Sequence, residues 1–187
     1  MKLLTRILLP WALTLCALGA TAARAEVNLA LTTTEPVVAP GALFDVVIEA
    51  HTGASAFNGF DAVVAFSPAL TLIQMTPLSM QEGAMMRNAC ATRFHQFTAT
   101  ASSATVTDVL MCSGASVSGD GQLYLMRFRA PQSVQECTVS LQPGTQLYQG
   151  GVSLGAVAPT SATIQVTAPT PTRKTAWGFL KSLYHYR

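Results

Sequence analysis

Carboxylates are scarce in this sequence: nine Asp and Glu among 187 residues. A cleft with paired acids, the working part of many hydrolases, is hard to assemble from so few. No Ser-His-Asp spacing or nucleophile elbow is present either. The cysteines match no zinc pattern such as CxxC, so neither a structural metal nor a cofactor is expected. After the Gly-Asp-Gly turn at 119–121 the run to Arg129 alternates with period two, so no helix N-terminus stands behind those glycines to cradle a phosphate. An enzyme is therefore not expected.

Net charge of one sign is also lacking, because the formal +2 is made at the ends. Lys2, Arg6 and Arg24 precede residue 26, and Arg173, Lys174, Lys181 and Arg187 follow residue 168. Residues 26–168 hold nine acidic and four basic side chains, 4 − 9 = −5. That balance gives no reason to expect nucleic acid as a partner.

What is present begins with a processing signal. Lys2 and Arg6 form a basic start, "ILLPWALTLCALGA" an apolar stretch, and Ala23-Arg24-Ala25 a small-residue cleavage site. Leu15 stands before Cys16 where a lipoprotein signal wants a small residue, which argues against a lipid anchor. Residues 1–25 are read as a signal peptide, and the protein as secreted, extracellular or at the cell surface, with the periplasm open. The remaining 187 − 25 = 162 residues suffice for one domain with a real core.

That domain, residues 26–168, reads as all-β. Short runs bounded by Gly, Pro, Ser and Thr occur at 27–32, 43–50, 59–66, 70–75, 93–100, 104–112, 122–129, 137–142 and 161–167, and predict a β-sandwich or jelly roll. Alternation turns Phe44, Val46 and Ile48 inward with Phe60, Ala62, Val64 and Phe66, and leaves Asp61, Val63 and Ala65 outward. The outward Val63 and Ala65 suit a crossing loop or a partner surface. Residues 76–92 break the rhythm and read as a long loop with a helical turn. Cys90 and Cys112 border "CATRFHQFTAT" and "ATVTDVLMC", two candidate antiparallel strands, so they are the expected disulfide; Cys137 is the odd thiol.

After a Pro/Thr linker at 168–172, "RKTAWGFLKSLYHYR" is basic and aromatic. Trp177, Phe179, Lys181 and Tyr184 mark it either as a tag for a membrane surface, an export machine or another protein, or as a terminus that packs Trp177 onto the domain. It is too short to span a membrane, which takes about 20 apolar residues.

The order of features resembles the cohesin family, nine-stranded jelly rolls of cellulosome scaffolds and other exported bacterial proteins. The residues that carry it are "VNLAL", "APGALFDVVIEA", "FNGFDAVVAFSPALTLIQM", "GDGQLYLMRFRAP" and "ATIQV", over roughly 27–167. The resemblance implies a nine-stranded jelly-roll β-sandwich and a dockerin-type partner. It also places Asp61 where cohesins often carry an interface acid. Two positions depart from the pattern: Ser67 stands where the family usually has Asp, and Gly59 stands at a usually polar interface position.

The candidate face is Asp61, Val63 and Ala65, with Thr105, Thr107 and Val109 from a neighbouring strand. A carbohydrate-binding module, with polysaccharide as ligand, is the rival, and it needs exposed aromatics in a row; a structural extracellular protein with a C-terminal targeting tail is the other alternative. His51 and His95 stand 44 positions apart and read as surface or packed histidines rather than metal ligands. Met75, Met80, Met85 and Met86 suit gap filling under a loop more than copper binding.

Overall fold

In the computed structural model, residues 28–53 and 55–168 are described. Twelve strands form: β1 (Asn28–Thr33), β2 (Val37–Val38), β3 (Leu43–His51), β4 (Gly59–Phe66), β5 (Thr71–Ile73), β6 (Arg93–Ala99), β7 (Ser103–Leu110), β8 (Asp120–Arg129), β9 (Gln135–Leu141), β10 (Gln146–Gln149), β11 (Val152–Ala156) and β12 (Ser161–Val166). All nine expected runs are strands. The structure adds β2 and the β10–β11 hairpin, which turns on Gly150 and Gly151, both with positive φ (59° and 80°).

The strands form two sheets. A narrow sheet has the order β1-β3-β8-β5. The wide sheet runs β11-β10-β4-β9-β12-β2, with β7 on the remaining edge of β4 and β6 beyond β7. β4 is a fork: β7 lies along one of its edges, while the other is divided between β10 over Gly59–Asp61 and β9 over Val64–Phe66. Thr145, buried in the gap, supplies what a continuous strand would have supplied. Its hydroxyl accepts from the Val63 N–H (3.1 Å) and donates to the Val63 carbonyl (3.3 Å).

Between the sheets lie the residues that alternation turned inward. Phe44, Val46 and Ile48 from β3 meet Phe60, Ala62 and Val64 from β4, with Met126 and Phe128 from β8. Phe128 stacks on Phe44 (5.8 Å between centroids) and meets the edge of Phe66 (5.2 Å). Each such buried side chain contributes about 1.5–3 kcal/mol through removal from water.

Residues 76–92 carry the expected helical turn, a 3₁₀ turn at Leu78–Met80 followed by α1 (Ala84–Ala89). Gly83 donates its N–H to the Leu123 carbonyl (2.8 Å) and the Gln81 carbonyl accepts from Leu125 (2.8 Å), so this segment extends the narrow sheet along β8. Met86 is fully buried beneath it and Met85 lies against Gly121, which makes both gap fillers; Met80 is exposed. The Cys90–Cys112 disulfide clips the segment to the end of β7, and Cys137 is a free, buried thiol.

Candidate functional site

The outward residues of β4, β7 and their neighbours make one face of the wide sheet. Register defines its rows: Phe94–Val109–Gly59–Tyr148, Gln96–Thr107–Asp61–Gln146, and Thr98–Thr105–Val63. Asp61, Val63, Ala65, Thr105 and Thr107 thus share one face, as alternation expected. Ala65 lies opposite Ser103 at its far end. The Gln142–Thr145 crossing runs beside Val63, whose carbonyl accepts from Gln142 (2.8 Å), and accounts for its half-burial.

Asp61 is the anchored centre of this face. One carboxylate oxygen accepts from Thr107 Oγ1 (2.6 Å) and the other from the Tyr148 hydroxyl (2.8 Å). Two donors from strands on either side fix its rotamer while leaving lone pairs outward. The same bond raises the Tyr148 phenol above its ordinary pKa, helped by partial burial and by the Asp61 charge. Gly59 lets the Val109 side chain close over it, since a Cβ there would press on Val109 at 3.1 Å. Phe94, 49% exposed, and Met111, 61% exposed, form an apolar corner beside it.

Tyr148, Gln146 and Phe94 are absent from the sequence-based site. Tyr148 sits in "QLYQGGVS", where a Gly-Gly pair between two alternating runs was an available hairpin signal. Phe94 follows from the alternation of β6 once β6 is known to border β7.

A polar cluster lies beneath the β6–β7 part of the face. His95 and Asp108 are cross-strand partners that point inward. Arg93 pairs with Glu82, His95 Nδ1 lies 3.7 Å from Glu82 Oε1, and the His95 ring stacks on Tyr124 (5.5 Å between centroids). Both Asp108 oxygens, the Tyr124 hydroxyl, His95 Nε2 and Arg93 Nε are buried without hydrogen-bond partners. Burial, then the Glu82 charge, pushes Asp108 up to about 6; the Arg93 charge and the nearby Val109 N–H oppose this. Burial also lowers His95, against the pull of Glu82. It raises Tyr124 too, with Glu82 and Asp108 adding to the effect. Among the described residues no three His, Cys, Asp or Glu side chains are placed to hold a metal ion. His51 is separate and exposed, 3.4 Å from Asp120.

Trp177, Phe179, Lys181 and Tyr184 lie outside the described residues, as does the 1–25 segment.

No protein-family model and no curated protein matches the sequence. Solved structures do match. A non-cellulosomal cohesin from the archaeon Archaeoglobus fulgidus aligns with a TM-score of 0.58 at 16% identity, over 86% of this chain and 99% of that one. The chain has the cohesin fold. A type II cohesin domain from the cellulosome of Acetivibrio cellulolyticus aligns at 0.60 and 12% identity, over 74% of this chain and 95% of that one. A cohesin from the same organism, solved in complex with a dockerin, aligns at 0.59 and 15% identity, over 76% and 99%. The two-sheet jelly roll expected from the alternation is therefore the cohesin sandwich.

Proposed function

We propose that the chain is an exported, non-catalytic binding module that docks a dockerin-type protein module, in an assembly linked to extracellular polysaccharide degradation or surface attachment. Its docking surface is the outer face of the wide sheet. The observation that carries this reading is Asp61, held by Thr107 and Tyr148 at the centre of a flat face of hydroxyls and aliphatic groups. A pre-oriented acid gives a partner a directional contact, and the Val63, Val109 and Phe94 surface around it supplies apolar area. The dockerin-bound neighbour with the same fold is consistent with such a partner. A polysaccharide platform is less well supported. In the row that ends in Phe94 and Tyr148, Val109 and Gly59 separate the two rings, which breaks the continuous stacking surface a sugar chain needs. Export rests on the basic, apolar and small-residue pattern of residues 1–25.

The test is Asp61→Arg compared with Leu43→Arg, an exposed position on the narrow sheet. Each is titrated against dockerin-type proteins captured from secreted and surface fractions. Asp61→Arg is expected to weaken binding at least about tenfold and Leu43→Arg to leave it unchanged. Equal binding by both refutes the face. Retention on insoluble polysaccharide that Phe94→Ala abolishes would establish the sugar reading instead.

A further inference from the structure

Five strands lie at the edges of the two sheets, and four of them are blunted. β2 has two residues and β5 three. β11 meets β10 across a register shift and carries Gly155 at φ 124°. The Leu29 carbonyl of β1 accepts from Thr160 Oγ1, just before β12 of the other sheet (3.4 Å). β6 is the exception. Its seven residues pair one to one with β7 without a bulge, and "RFHQFTA" contains no Pro, Gly or Lys. Its one permanent charge, Arg93, is paired with Glu82. An edge this long and regular, with no free charge to repel a neighbour, is a template for a further strand.

The ladder shows which groups that strand would meet. The Thr92 carbonyl accepts from Met111 and the Thr100 N–H donates to Ser103, so the even-numbered residues of β6 turn their backbone groups toward β7. Those of Arg93, His95, Phe97 and Ala99 turn the other way, and these eight groups have no backbone partner among the described residues. An antiparallel strand centred opposite Gln96 takes all of them, pairing 93 with 99 and 95 with 97, whereas any other centre leaves some over. β6 is itself such a strand. A two-fold axis at Gln96 sets the Gln96 side chains of two copies against each other, where their amides can bond, and sets Phe94 against Thr98 of the second copy on the outer face. Arg93 then lies opposite Ala99, so no like charges meet. The contact is self-complementary and closes after two copies, which leaves neither with an open β6 edge. It also continues a row already described. Gln96 lies in register with Thr107 and Asp61, so that row crosses both copies. Two Asp61 carboxylates then stand on the same side of one sheet, five inter-strand steps apart, or about 24 Å at about 4.8 Å each.

We infer that the chain pairs with a second copy of itself, β6 to β6, in an antiparallel contact centred on Gln96. The wide sheet then runs unbroken through both copies, and their outer faces point the same way, so a partner with two docking elements can engage both at once. The pairing itself stands on the edge geometry, whatever the outer face binds.

Residues 26–187 are followed by analytical ultracentrifugation over a dilution series as wild type, Gln96→Lys, Gln96→Glu and Gln146→Lys. The wild type is expected to be a dimer that dissociates on dilution. Each Gln96 variant sets like charges face to face and should weaken dimerisation at least about tenfold, while an equimolar mixture of the two should restore it. Gln146→Lys, at the far end of the same row, should leave it unchanged. Gln96 is exposed, so its substitution leaves the core intact, which circular dichroism checks. In the wild type, exchange of the Arg93, His95, Phe97 and Ala99 amide protons should slow as concentration rises. Four results overturn the inference: a monomer at every concentration, including one whose β6 amides only an unrelated extended peptide protects; a dimer indifferent to both Gln96 variants; a mixture of the two variants that stays monomeric; or exchange of the four amides that does not depend on concentration.

Discussion

Asp108→Asn is expected to raise stability at neutral and alkaline pH and to do little in acid. Asp108 is fully buried and neither of its oxygens has a hydrogen-bond partner. The titratable or charged groups around it are Glu82, Arg93, His95 and Tyr124. Its folded-state value of about 6, against an ordinary 3.8, means the fold holds the protonated acid more tightly than the unfolded chain does. The associated stability is fully present below the unfolded value and is lost as pH rises through the folded one. At 1.36 kcal/mol for each factor of ten, the loss is about 3 kcal/mol. Asn copies the shape of the neutral acid at every pH. The difference in unfolding free energy between Asp108→Asn and wild type should therefore grow by about 3 kcal/mol from about pH 4 to about pH 8. For a domain of this size that is roughly 10 °C in Tm. Urea titrations followed by circular dichroism at both pH values measure it. Taking the difference cancels the slopes that other carboxylates impose on both proteins. A difference independent of pH would refute the argument, because a hydrated or hydrogen-bonded Asp108 would titrate normally.

Two further outcomes concern the 76–92 segment. Replacing Cys90 and Cys112 together by Ser should lower stability by about 3 kcal/mol, as expected for opening a loop closed across 22 positions, with the urea midpoint as readout. Gly83→Ala places a Cβ on the Gln122 backbone carbonyl, which no side-chain rotation relieves. A loss of about 3 kcal/mol is expected from such overpacking, and a near-neutral result would show that the segment is not tied to β8 as described.

The strands that carry alternation were legible in the sequence. Phe44, Val46, Ile48, Phe60, Ala62, Val64 and Phe66 are all buried, and Asp61, Thr105 and Thr107 share one face. The Cys90–Cys112 pairing was legible for the same reason, since a hairpin brings its two ends together. β2 was not, because two residues carry no period. The β10–β11 hairpin had a signal in its Gly-Gly pair, but the flanking runs are short and rich in Gln and Ser, and with it went Tyr148, the second hydroxyl on Asp61. The buried cluster was legible only in part. The alternation that sends Thr107 outward also sends Asp108 inward, yet its companions arrive from an irregular loop (Glu82), an edge strand (Arg93, His95) and the opposite sheet (Tyr124). Nothing local in the sequence announces such a meeting.

The position of Cys137 bears on how the single bridge is chosen. In an oxidising compartment the three cysteines of the described residues allow three pairings. Cys90 and Cys112 flank a hairpin closed by the Thr100–Ser103 turn, a short-range event that requires no other part of the chain. Cys137 is placed only when β9 finds both β4 and β12, and once there it is 1% exposed with its thiol pushed up by burial. Exchange proceeds through a thiolate that can reach the bridge, and the native state denies both conditions. Short-range closure of the hairpin thus favours the Cys90–Cys112 bridge, and the folded sandwich keeps it by holding the competing thiol of Cys137 out of reach.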